Sequence, residues 1–371
     1  MAESSIIPVI AMAVVAFGIA VLTVVLLIPK VRDFAVRIGA VQHGGEGHGT
    51  GQRVHVGKVP NIGGLGILAG FLLAIMAGFL IRPDLLDGYR VELLAIVLGG
   101  CLVALVGFMD DMWEIPPFMR LATQFVAAGI LVLNGVRIEF FTNFLSGTGY
   151  VFVPEMLSII ITVLWVVGFT NAFNFIDGLD GLSSGIAAIS SMCLLAVALQ
   201  FGDRGASVLL LAALAGASLG FLRHNFSPAK ITMGDSGAYM IGYVLAAVSV
   251  LGALKMTAAV TVAAPILVLA LPVVNIAQVT LRRMRRGASP VEASNDHLHD
   301  MIRVRSGSKN LTVLLLWSAT LVLGILGMLL SATPPLLMYT TVISAVTLIA
   351  AVVLLRLREV RQERDLAAGT Q

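Results

Sequence analysis

Residues 168–185 read GFTNAFNFIDGLDGLSSG and lie between two apolar segments of the chain. Two carboxamides and two carboxylates recur at every third position in this stretch: Asn171, Asn174, Asp177 and Asp180. On a helical turn this spacing places side chains on one side, so the pattern predicts that the four converge. Glycines at 178, 181 and 185 would let a phosphate, a metal ion or a nucleotide approach the backbone. The stretch therefore predicts a polar site within an otherwise apolar protein.

The composition of the whole chain is that of an integral membrane protein. Apolar residues make up 58% of the 371 residues and charged residues 12%, compared with roughly 25% charged residues in a soluble domain. The mean hydropathy is +0.97. Basic residues are dispersed between apolar segments, which disfavours a nucleic-acid partner despite the net charge of +3. We expect an all-α polytopic membrane protein in which residues 1–371 form a single integral membrane domain.

Eleven apolar segments are long enough to cross the membrane, whose hydrocarbon core is about 30 Å thick. They fall near residues 7–29, 63–81, 91–109, 118–134, 154–170, 185–201, 206–222, 238–254, 259–281, 311–330 and 335–355. We therefore predict about eleven transmembrane helices. Between the fourth and the fifth segment, the alternating stretches VRIEFF and YVFVP predict a small β-hairpin within residues 134–154.

The loops between these segments differ strongly in charge. With an odd number of spans, one set of loops and the C-terminal tail together hold 19 of the 24 Lys and Arg residues, and the other set holds five. Because cytoplasmic loops carry the excess of basic residues, we predict an outside N-terminus and a cytoplasmic C-terminus, with a cytoplasmic tail at residues 356–371. The polar motifs then all fall on the cytoplasmic side.

Two cytoplasmic loops carry further carboxylates at the ends of predicted helices. Asp110 and Asp111 end the third span in GFMDDMWE, and Asp235 opens the eighth in MGDSG. Paired carboxylates bind divalent cations, and a helix N-terminus favours a nearby phosphate. A solvated helix end for the pair and a helix N-cap for Asp235 are the alternatives that involve no chemistry. The recurrence of carboxylates at several helix ends favours a polar site.

The first and last cytoplasmic loops contribute basic residues and histidines. Lys58 precedes the turn VPNIGGLG, and residues 282–310 open with RRMRRG and contain His297, His299 and Arg303 further on. Anchoring to anionic lipid also explains the arginines. Two histidines two residues apart, without a nearby cysteine, are a poor zinc signature, so contact with phosphate is the better interpretation.

The order of these motifs resembles a known enzyme family. The stretches GGLGIL after VPN, GFMDDMWEI, NAFNFIDGLDGLSSG, HNFSPAKITMGDSGAYMIG and DHLHDMI follow one another between about residues 50 and 310. Together they resemble the polyprenyl-phosphate N-acetylhexosamine-1-phosphate transferases. The eleven spans and the His-Leu-His order are similar to the WecA and TagO branch rather than to the MraY branch. Two positions depart from the pattern, since Asp300 replaces the second histidine of an expected pair and Asn275 stands where aspartate is frequent.

The resemblance implies a reaction. Enzymes of this branch transfer GlcNAc-1-phosphate from UDP-GlcNAc to undecaprenyl phosphate or another polyprenyl phosphate and release UMP. This is the first membrane step in the synthesis of a cell-envelope polysaccharide. The reaction uses Mg²⁺, with Mn²⁺ as an alternative, and the active site faces the cytoplasm from the bacterial inner membrane.

The resemblance also implies roles for individual residues. It makes Asp110, Asp111 and Asp235 the expected Mg²⁺ ligands and, together with His297, the expected catalytic residues. The expected substrate-binding residues are Asn171, Asn174, Asp177, Asp180, Asn225, His299, Arg303 and Lys58. The departure at Asn275 predicts that this position is not essential for the chemistry in this chain.

Two other functions compete with this one. The first is a MraY-like transferase that acts on UDP-MurNAc-pentapeptide, and the second is a polytopic transporter. A transporter would place ionisable groups near the middle of the membrane, whereas here they fall at predicted cytoplasmic helix ends. The sequence leaves open the sugar donor, the downstream polymer, the lipid chain length and whether the chain forms a homodimer. It also leaves open whether transfer is direct or passes through an aspartyl-phosphate.

Overall fold

The computed structural model describes residues 3–43, 58–142, 150–201, 205–253, 267–285 and 297–369. Within these ranges the chain is almost entirely helical, which confirms the predicted all-α polytopic membrane fold. The helices are α1 (Glu3–Ile38), α2 (Gly64–Ile81), α3 (Arg90–Trp113), α4 (Pro117–Leu133), α5 (Glu155–Ile176), α6 (Leu182–Leu199), α7 (Gly205–Asn225), α8 (Gly234–Ala253), α9 (Ala270–Arg285), α10 (Leu298–Ser306), α11 (Lys309–Leu330) and α12 (Pro335–Gly369). A 3₁₀ turn, Pro83–Leu85, follows α2.

Most of the predicted spans coincide with these helices. In the described part of the chain, nine helices are long and apolar enough to cross a membrane, and α4 is an apolar helix of 17 residues. The predicted ninth span, 259–281, lies partly outside the described residues, and its described part begins α9. The count of eleven and the orientation in the membrane therefore stay predictions.

Two short antiparallel strand pairs accompany the helices. Strand β3 (Phe140–Thr142) pairs with β4 (Tyr150–Phe152), which confirms the hairpin predicted within residues 134–154. Strand β1 (Val41–His43) pairs with β2 (Lys58–Pro60), a pairing that the sequence did not predict. This second pair brings the end of α1 back to the start of α2.

Helix α7 lies at the centre of the bundle. Its sequence is rich in alanine, glycine and leucine, and it is buried along almost its whole length. A Cβ atom at Gly216 would lie 2.4 Å from the Phe17 carbonyl oxygen, and one at Gly220 would lie 2.9 Å from the Val21 carbonyl oxygen. Small residues four apart thus let α1 and α7 pack backbone to backbone, as is common between membrane helices.

Helices α3 and α8 are held together in the same way. A Cβ atom at Gly99 would lie 1.8 Å from the Tyr243 hydroxyl oxygen, and one at Gly107 would lie 2.5 Å from the Ser236 backbone nitrogen. Helix α2 joins the contact because a Cβ atom at Gly64 would lie 2.1 Å from the Gly237 nitrogen. The C-terminal end of α3 is therefore fixed against the N-terminal end of α8.

The helix ends that the sequence predicts to lie on the cytoplasmic side of the membrane are close together in the structure. The C-terminal ends of α3 and α5 and the N-terminal ends of α4 and α8 exchange side-chain contacts. At the other end of the bundle, a Cβ atom at Gly205 would lie 2.2 Å from the Leu85 carbonyl oxygen, and Gln200 donates to Thr333 over 3.4 Å. Helix ends that the sequence assigns to opposite sides of the membrane therefore lie at opposite ends of the bundle.

Candidate active site

A sharp turn between α3 and α4 places a basic side chain beside the paired aspartates. Glu114 ends α3 in a left-handed conformation with φ of 49°, and Pro117 begins α4, as proline often does at the first helical position. The chain reverses so quickly that Arg120 returns to Asp110. Sequence reasoning missed Arg120, although the short turn EIPP between two helices was the signal that could have found it.

The Arg120 guanidinium joins two carboxylates from different helices. Its Nη1 lies 2.6 Å from Asp110 Oδ2 and 3.7 Å from Asp235 Oδ2. Asn174 donates from Nδ2 to Asp235 Oδ1 over 2.8 Å. The Asp110 side chain is 8% exposed and that of Asp235 20%, so a nearby cation stabilises two carboxylates that would otherwise repel each other. We call Asp110, Arg120, Asn174 and Asp235 the carboxylate cluster.

The Asp111 carboxylate binds the start of α8. Its Oδ1 accepts a hydrogen bond from the Asp235 nitrogen over 2.9 Å, and its Oδ2 accepts one from the Ser236 nitrogen over 3.1 Å. These are backbone donors that a helix N-terminus leaves without helical partners, and a negative charge there is favourable. The alternative of a helix cap, which the sequence raised for Asp235, thus applies to Asp111, acting from a neighbouring helix.

The capping contact predicts a loss of stability for Asp111→Asn. The asparagine keeps one acceptor oxygen but loses the second acceptor and the charge, so we expect a loss of about 1 kcal/mol and a lower Tm. Thermal unfolding of the purified protein in one detergent measures the change. Asp33→Asn is the matched control, because Asp33 is exposed and pairs only with its neighbour Arg32 in the described contacts. A Tm for Asp111→Asn equal to that of the control would contradict the capping role.

The four polar residues of the opening stretch contact four different elements. Helix α5 ends at Ile176, so the helical spacing does not continue through Asp177 and Asp180. The prediction that all four converge is therefore wrong, because it assumed an unbroken helical turn. Their partners are Gln124 for Asn171 (2.5 Å), Asp235 for Asn174 (2.8 Å), the Ser183 hydroxyl for Asp177 (2.5 Å) and the Ala229 nitrogen for Asp180 (3.1 Å).

Asn225 ties the turn after α5 to the loop after α7. Its Oδ1 accepts from the Gly181 nitrogen over 3.0 Å and from the Ser184 hydroxyl over 3.1 Å. Its Nδ2 donates to the Ile231 carbonyl over 3.0 Å. Asn225 is 2% exposed, so in this structure it holds two loops together from beneath the surface.

The two histidines stack beside the end of α5. The His297 ring lies 5.7 Å from the Phe175 ring and 5.4 Å from the His299 ring, centroid to centroid. A Cβ atom at Gly178 would lie 2.1 Å from His299 Nε2, so the glycine is needed for this approach. The structure thus brings His297 and His299 to the stretch that the sequence singled out.

Asp300 lies between His299 and Arg303. Its oxygens are 3.5 Å from His299 Nε2 and 3.4 Å from Arg303 Nη2. Burial, with smaller contributions from His297 and Arg303, lowers the pKa of His299 to about 3. The ring is therefore uncharged near neutral pH, and its contact with Asp300 is not an ion pair. The residue that departs from the family pattern engages the same arginine that the sequence predicts to bind phosphate.

Asn275 and Lys58 are the two remaining residues that the sequence analysis singled out. Asn275 is buried, and its Oδ1 accepts from the Leu298 nitrogen over 2.9 Å, which fixes the start of α10. The Lys58 backbone pairs with His43 in the β1–β2 pair, and its side chain lies outside the described part of the structure. Among the described residues, no group of three or more His, Cys, Asp and Glu side chains is arranged to hold a metal ion.

Known proteins resemble this chain in the region that contains most of the site residues described above. The model of the family described as glycosyl transferase family 4 matches residues 93–253, from α3 to α8. A Bacillus subtilis protein described as "Probable undecaprenyl-phosphate N-acetylglucosaminyl 1-phosphate transferase" is 31% identical over 309 residues, which cover 82% of this chain and 81% of that protein. The chain belongs to the polyprenyl-phosphate N-acetylhexosamine-1-phosphate transferase family.

Two further relatives come from different branches of this transferase family and differ in how much of this chain they match. A decaprenyl-phosphate N-acetylglucosaminephosphotransferase of Mycolicibacterium smegmatis is 34% identical over 308 residues, which cover 77% of this chain and 74% of the relative. A phospho-N-acetylmuramoyl-pentapeptide-transferase of Shouchella clausii is 32% identical over 250 residues, which cover 64% of this chain and 73% of the relative. The GlcNAc-phosphate transferases thus share more of the chain, and membership of a transferase family disfavours the transporter.

Proposed function

We propose that this chain transfers GlcNAc-1-phosphate from UDP-GlcNAc to a polyprenyl phosphate and releases UMP. The observation that carries the proposal is the carboxylate cluster, in which Arg120 joins Asp110 and Asp235 at one end of a bundle of membrane helices. Phosphoryl transfer between two anions requires neutralisation of charge and alignment of donor and acceptor. A polar group at a helix end, next to the bilayer, suits one water-soluble substrate and one lipid substrate.

The carboxylate cluster fits a magnesium ion. Mg²⁺ is usually held in proteins by one or two carboxylates, with water and substrate phosphates as its other ligands. Asp110 and Asp235 provide two carboxylates from different helices, and Asp111 is engaged with backbone amides instead. When bound, the ion would neutralise charge on the pyrophosphate, and Mn²⁺ prefers the same oxygen ligands. Support for the metal thus rests on two of the three aspartates that the sequence selected.

Direct transfer suits the groups in the carboxylate cluster. An oxygen of the lipid phosphate forms a bond to the phosphorus that carries the sugar, and the bond from that phosphorus to the oxygen of UMP breaks. A phosphate monoester has a second pKa near 6, so the acceptor is mostly dianionic at pH 7 and needs orientation more than activation. Arg120, whose Nη1 lies within 4 Å of both carboxylates, would orient it through its positive charge.

The turn after α5 and the start of α10 suit the donor. Asp177 and Asp180 flank the Gly178 backbone, which lies against His299. His297 and Arg303 lie on the same short helix region and would contact the sugar phosphate or the lipid phosphate. Asn171 and Asn225 would act by holding α4 and the loop after α7 in place. A GlcNAc donor needs only a compact pocket with phosphate-binding cations, whereas a MurNAc-pentapeptide donor also needs room for its peptide arm.

A comparison of two donors tests the proposal. The purified protein is incubated with undecaprenyl phosphate, Mg²⁺ and either UDP-GlcNAc or UDP-MurNAc-pentapeptide, and released UMP is measured. We expect turnover of UDP-GlcNAc that depends on the lipid, because the phosphate acceptor is a reactant. Omission of the lipid is the control for hydrolysis. Equal or faster turnover of UDP-MurNAc-pentapeptide would reject the branch, and turnover of neither donor would reject the reaction.

We place the enzyme in the bacterial inner membrane with the carboxylate cluster facing the cytoplasm, where UDP-sugars are made. The charge asymmetry predicts that cysteine at position 304 is protected from a membrane-impermeant maleimide in intact cells, whereas cysteine at position 87 is labelled. Val304 is 79% exposed and the Asp87 side chain 61%, and they lie toward opposite ends of the bundle. Val304→Cys and Asp87→Cys are made after replacement of Cys101 and Cys193 by alanine. Labelling only at position 304 in intact cells would invert the topology.

A further inference from the structure

The C-terminal end of α12 contacts the loop that leads to Asp235. This part of the helix, Arg356–Glu363, is called the tail segment, and residues 226–233 are called the α7–α8 loop. The predicted cytoplasmic tail is therefore not an extended appendage in its described part, because helix α12 continues to Gly369. Two kinds of contact join the tail segment to the α7–α8 loop and its flank.

The first kind is a network of ion pairs. Glu359 Oε1 pairs with Arg223, and Glu359 Oε2 lies 3.4 Å from Lys230 Nζ. The same Lys230 Nζ lies 3.0 Å from Glu363 Oε1. An isolated pair at a surface contributes little, but several charges in one network hold each other in place. The network spans the last turn of α7, the α7–α8 loop and two turns of α12.

The second kind is a buried arginine. The Arg356 side chain is 2% exposed, its Nη2 donates to the Pro228 carbonyl over 2.6 Å, and its Nη1 lies 3.4 Å from Glu359 Oε2. A buried charge is costly unless it is paired and hydrogen-bonded. The contact with a loop carbonyl therefore indicates that the tail segment and the α7–α8 loop have one fixed arrangement.

The other side of the α7–α8 loop contacts the site itself. The Ala229 nitrogen donates to Asp180 Oδ2 over 3.1 Å, and Gly63 donates from its nitrogen to the Thr232 carbonyl over 3.0 Å. Asp235 follows the α7–α8 loop in the chain and belongs to the carboxylate cluster. The α7–α8 loop is thus held between the tail segment and the residues proposed to bind the donor.

We propose that the tail segment positions the α7–α8 loop for binding of the sugar nucleotide. Glu359 and Arg356 act as positioning residues, since their described contacts with the α7–α8 loop and its flank are made to Lys230, Pro228 and Arg223. The consequence for donor binding rests on the proposed function. The positioning of the α7–α8 loop does not, because it concerns contacts within the chain alone.

Hydrogen–deuterium exchange tests the positioning without any substrate. In the full-length protein, Glu359→Gln removes a charge from the network without changing the size of the side chain. We expect faster exchange of the backbone amides of residues 226–233, because local opening becomes easier when a loop loses its anchors. Arg361→Gln, an exposed position on the same helix, is the control and should leave this exchange unchanged. Exchange in Glu359→Gln equal to that of the wild type would overturn the proposal.

Steady-state kinetics test the consequence for the donor. We expect Glu359→Gln and Lys230→Met each to raise the KM for UDP-GlcNAc by about two- to fivefold, because each substitution weakens a network of partly exposed ion pairs that contribute little individually. The KM for the lipid should not change, and Lys230→Arg, which keeps the charge, should restore the KM for the donor. A fall in kcat with unchanged KM in Glu359→Gln would show a merely structural role and reject the positioning of the donor site.

The exchange measurement and the kinetic measurement distinguish failure of the proposed function from failure of the proposed positioning role. If the wild type releases no UMP from UDP-GlcNAc, the proposed function fails, and the exchange measurement still decides whether the tail segment holds the α7–α8 loop. If the wild type is active and an effect appears in Lys230→Met but in neither Glu359→Gln nor Glu363→Gln, Lys230 contacts the donor directly and the ion pairs of the tail segment have no positioning role.

Discussion

We expect Asp235→Asn to lower kcat by roughly 100- to 1000-fold, the effect typical for loss of one charge-stabilising group in an active site. Asp235 contributes one of the two carboxylates joined by Arg120, and it is the one at a helix N-terminus. The asparagine has nearly the same shape and keeps an oxygen that can accept the hydrogen bond from Asn174. The fold should therefore survive, and the loss should be one of chemistry and metal affinity.

Two measurements check this expectation. UMP release gives kcat, and thermal unfolding gives Tm, which should stay within a few degrees of the wild-type value. Activity of the wild type should disappear in EDTA and return with Mg²⁺, while the variant should require more Mg²⁺ for its residual activity because one ligand is lost. Asp33→Asn serves again as the control for an exposed aspartate. Full activity of Asp235→Asn, or of the wild type in EDTA, would refute the assignment of the metal to the carboxylate cluster.

Gly107→Ala should have a comparably large effect through a different cause. A Cβ atom at this position would lie 2.5 Å from the Ser236 nitrogen and 2.6 Å from the Asp235 carbonyl carbon and oxygen. These atoms belong to the backbone and cannot rotate away, so α3 and α8 must separate. Overpacking of this kind costs about 1–3 kcal/mol, and the separation would also pull Asp235 away from Asp110. We therefore expect a lower Tm together with near-complete loss of UMP release.

The matched control for this substitution is Gly129→Ala. Gly129 also lies within a helix, α4, but in the described part of the chain no neighbouring atom outside its own helix backbone lies within 4 Å of the Cβ position there. Alanine is favoured over glycine in helices by about 1 kcal/mol, so this variant should be as stable as the wild type or slightly more stable, and active. Wild-type activity in Gly107→Ala would mean that the contact between α3 and α8 does not hold the carboxylate cluster together.

The sequence by itself determined the class of the protein and most of its helices. Hydropathy is a property of each segment alone, so apolar stretches such as 206–222 and 311–330 could be assigned without knowledge of their neighbours. The order of the polar motifs was also sufficient to predict the family that the comparisons show. The alternation of side chains was readable where it is local, as in the paired strands β3 and β4.

The tertiary structure decided which polar groups face each other. Arg120 reaches Asp235 across 115 positions of the chain, and Asp111 binds backbone amides of α8, contacts that depend on how α3, α4 and α8 cross. The end of α5 at Ile176 separates residues that helical spacing would have brought together. The contact of the tail segment with the α7–α8 loop joins parts of the chain that share no local pattern. Such pairings depend on close packing at glycines such as Gly107, and no single segment encodes its partner's position.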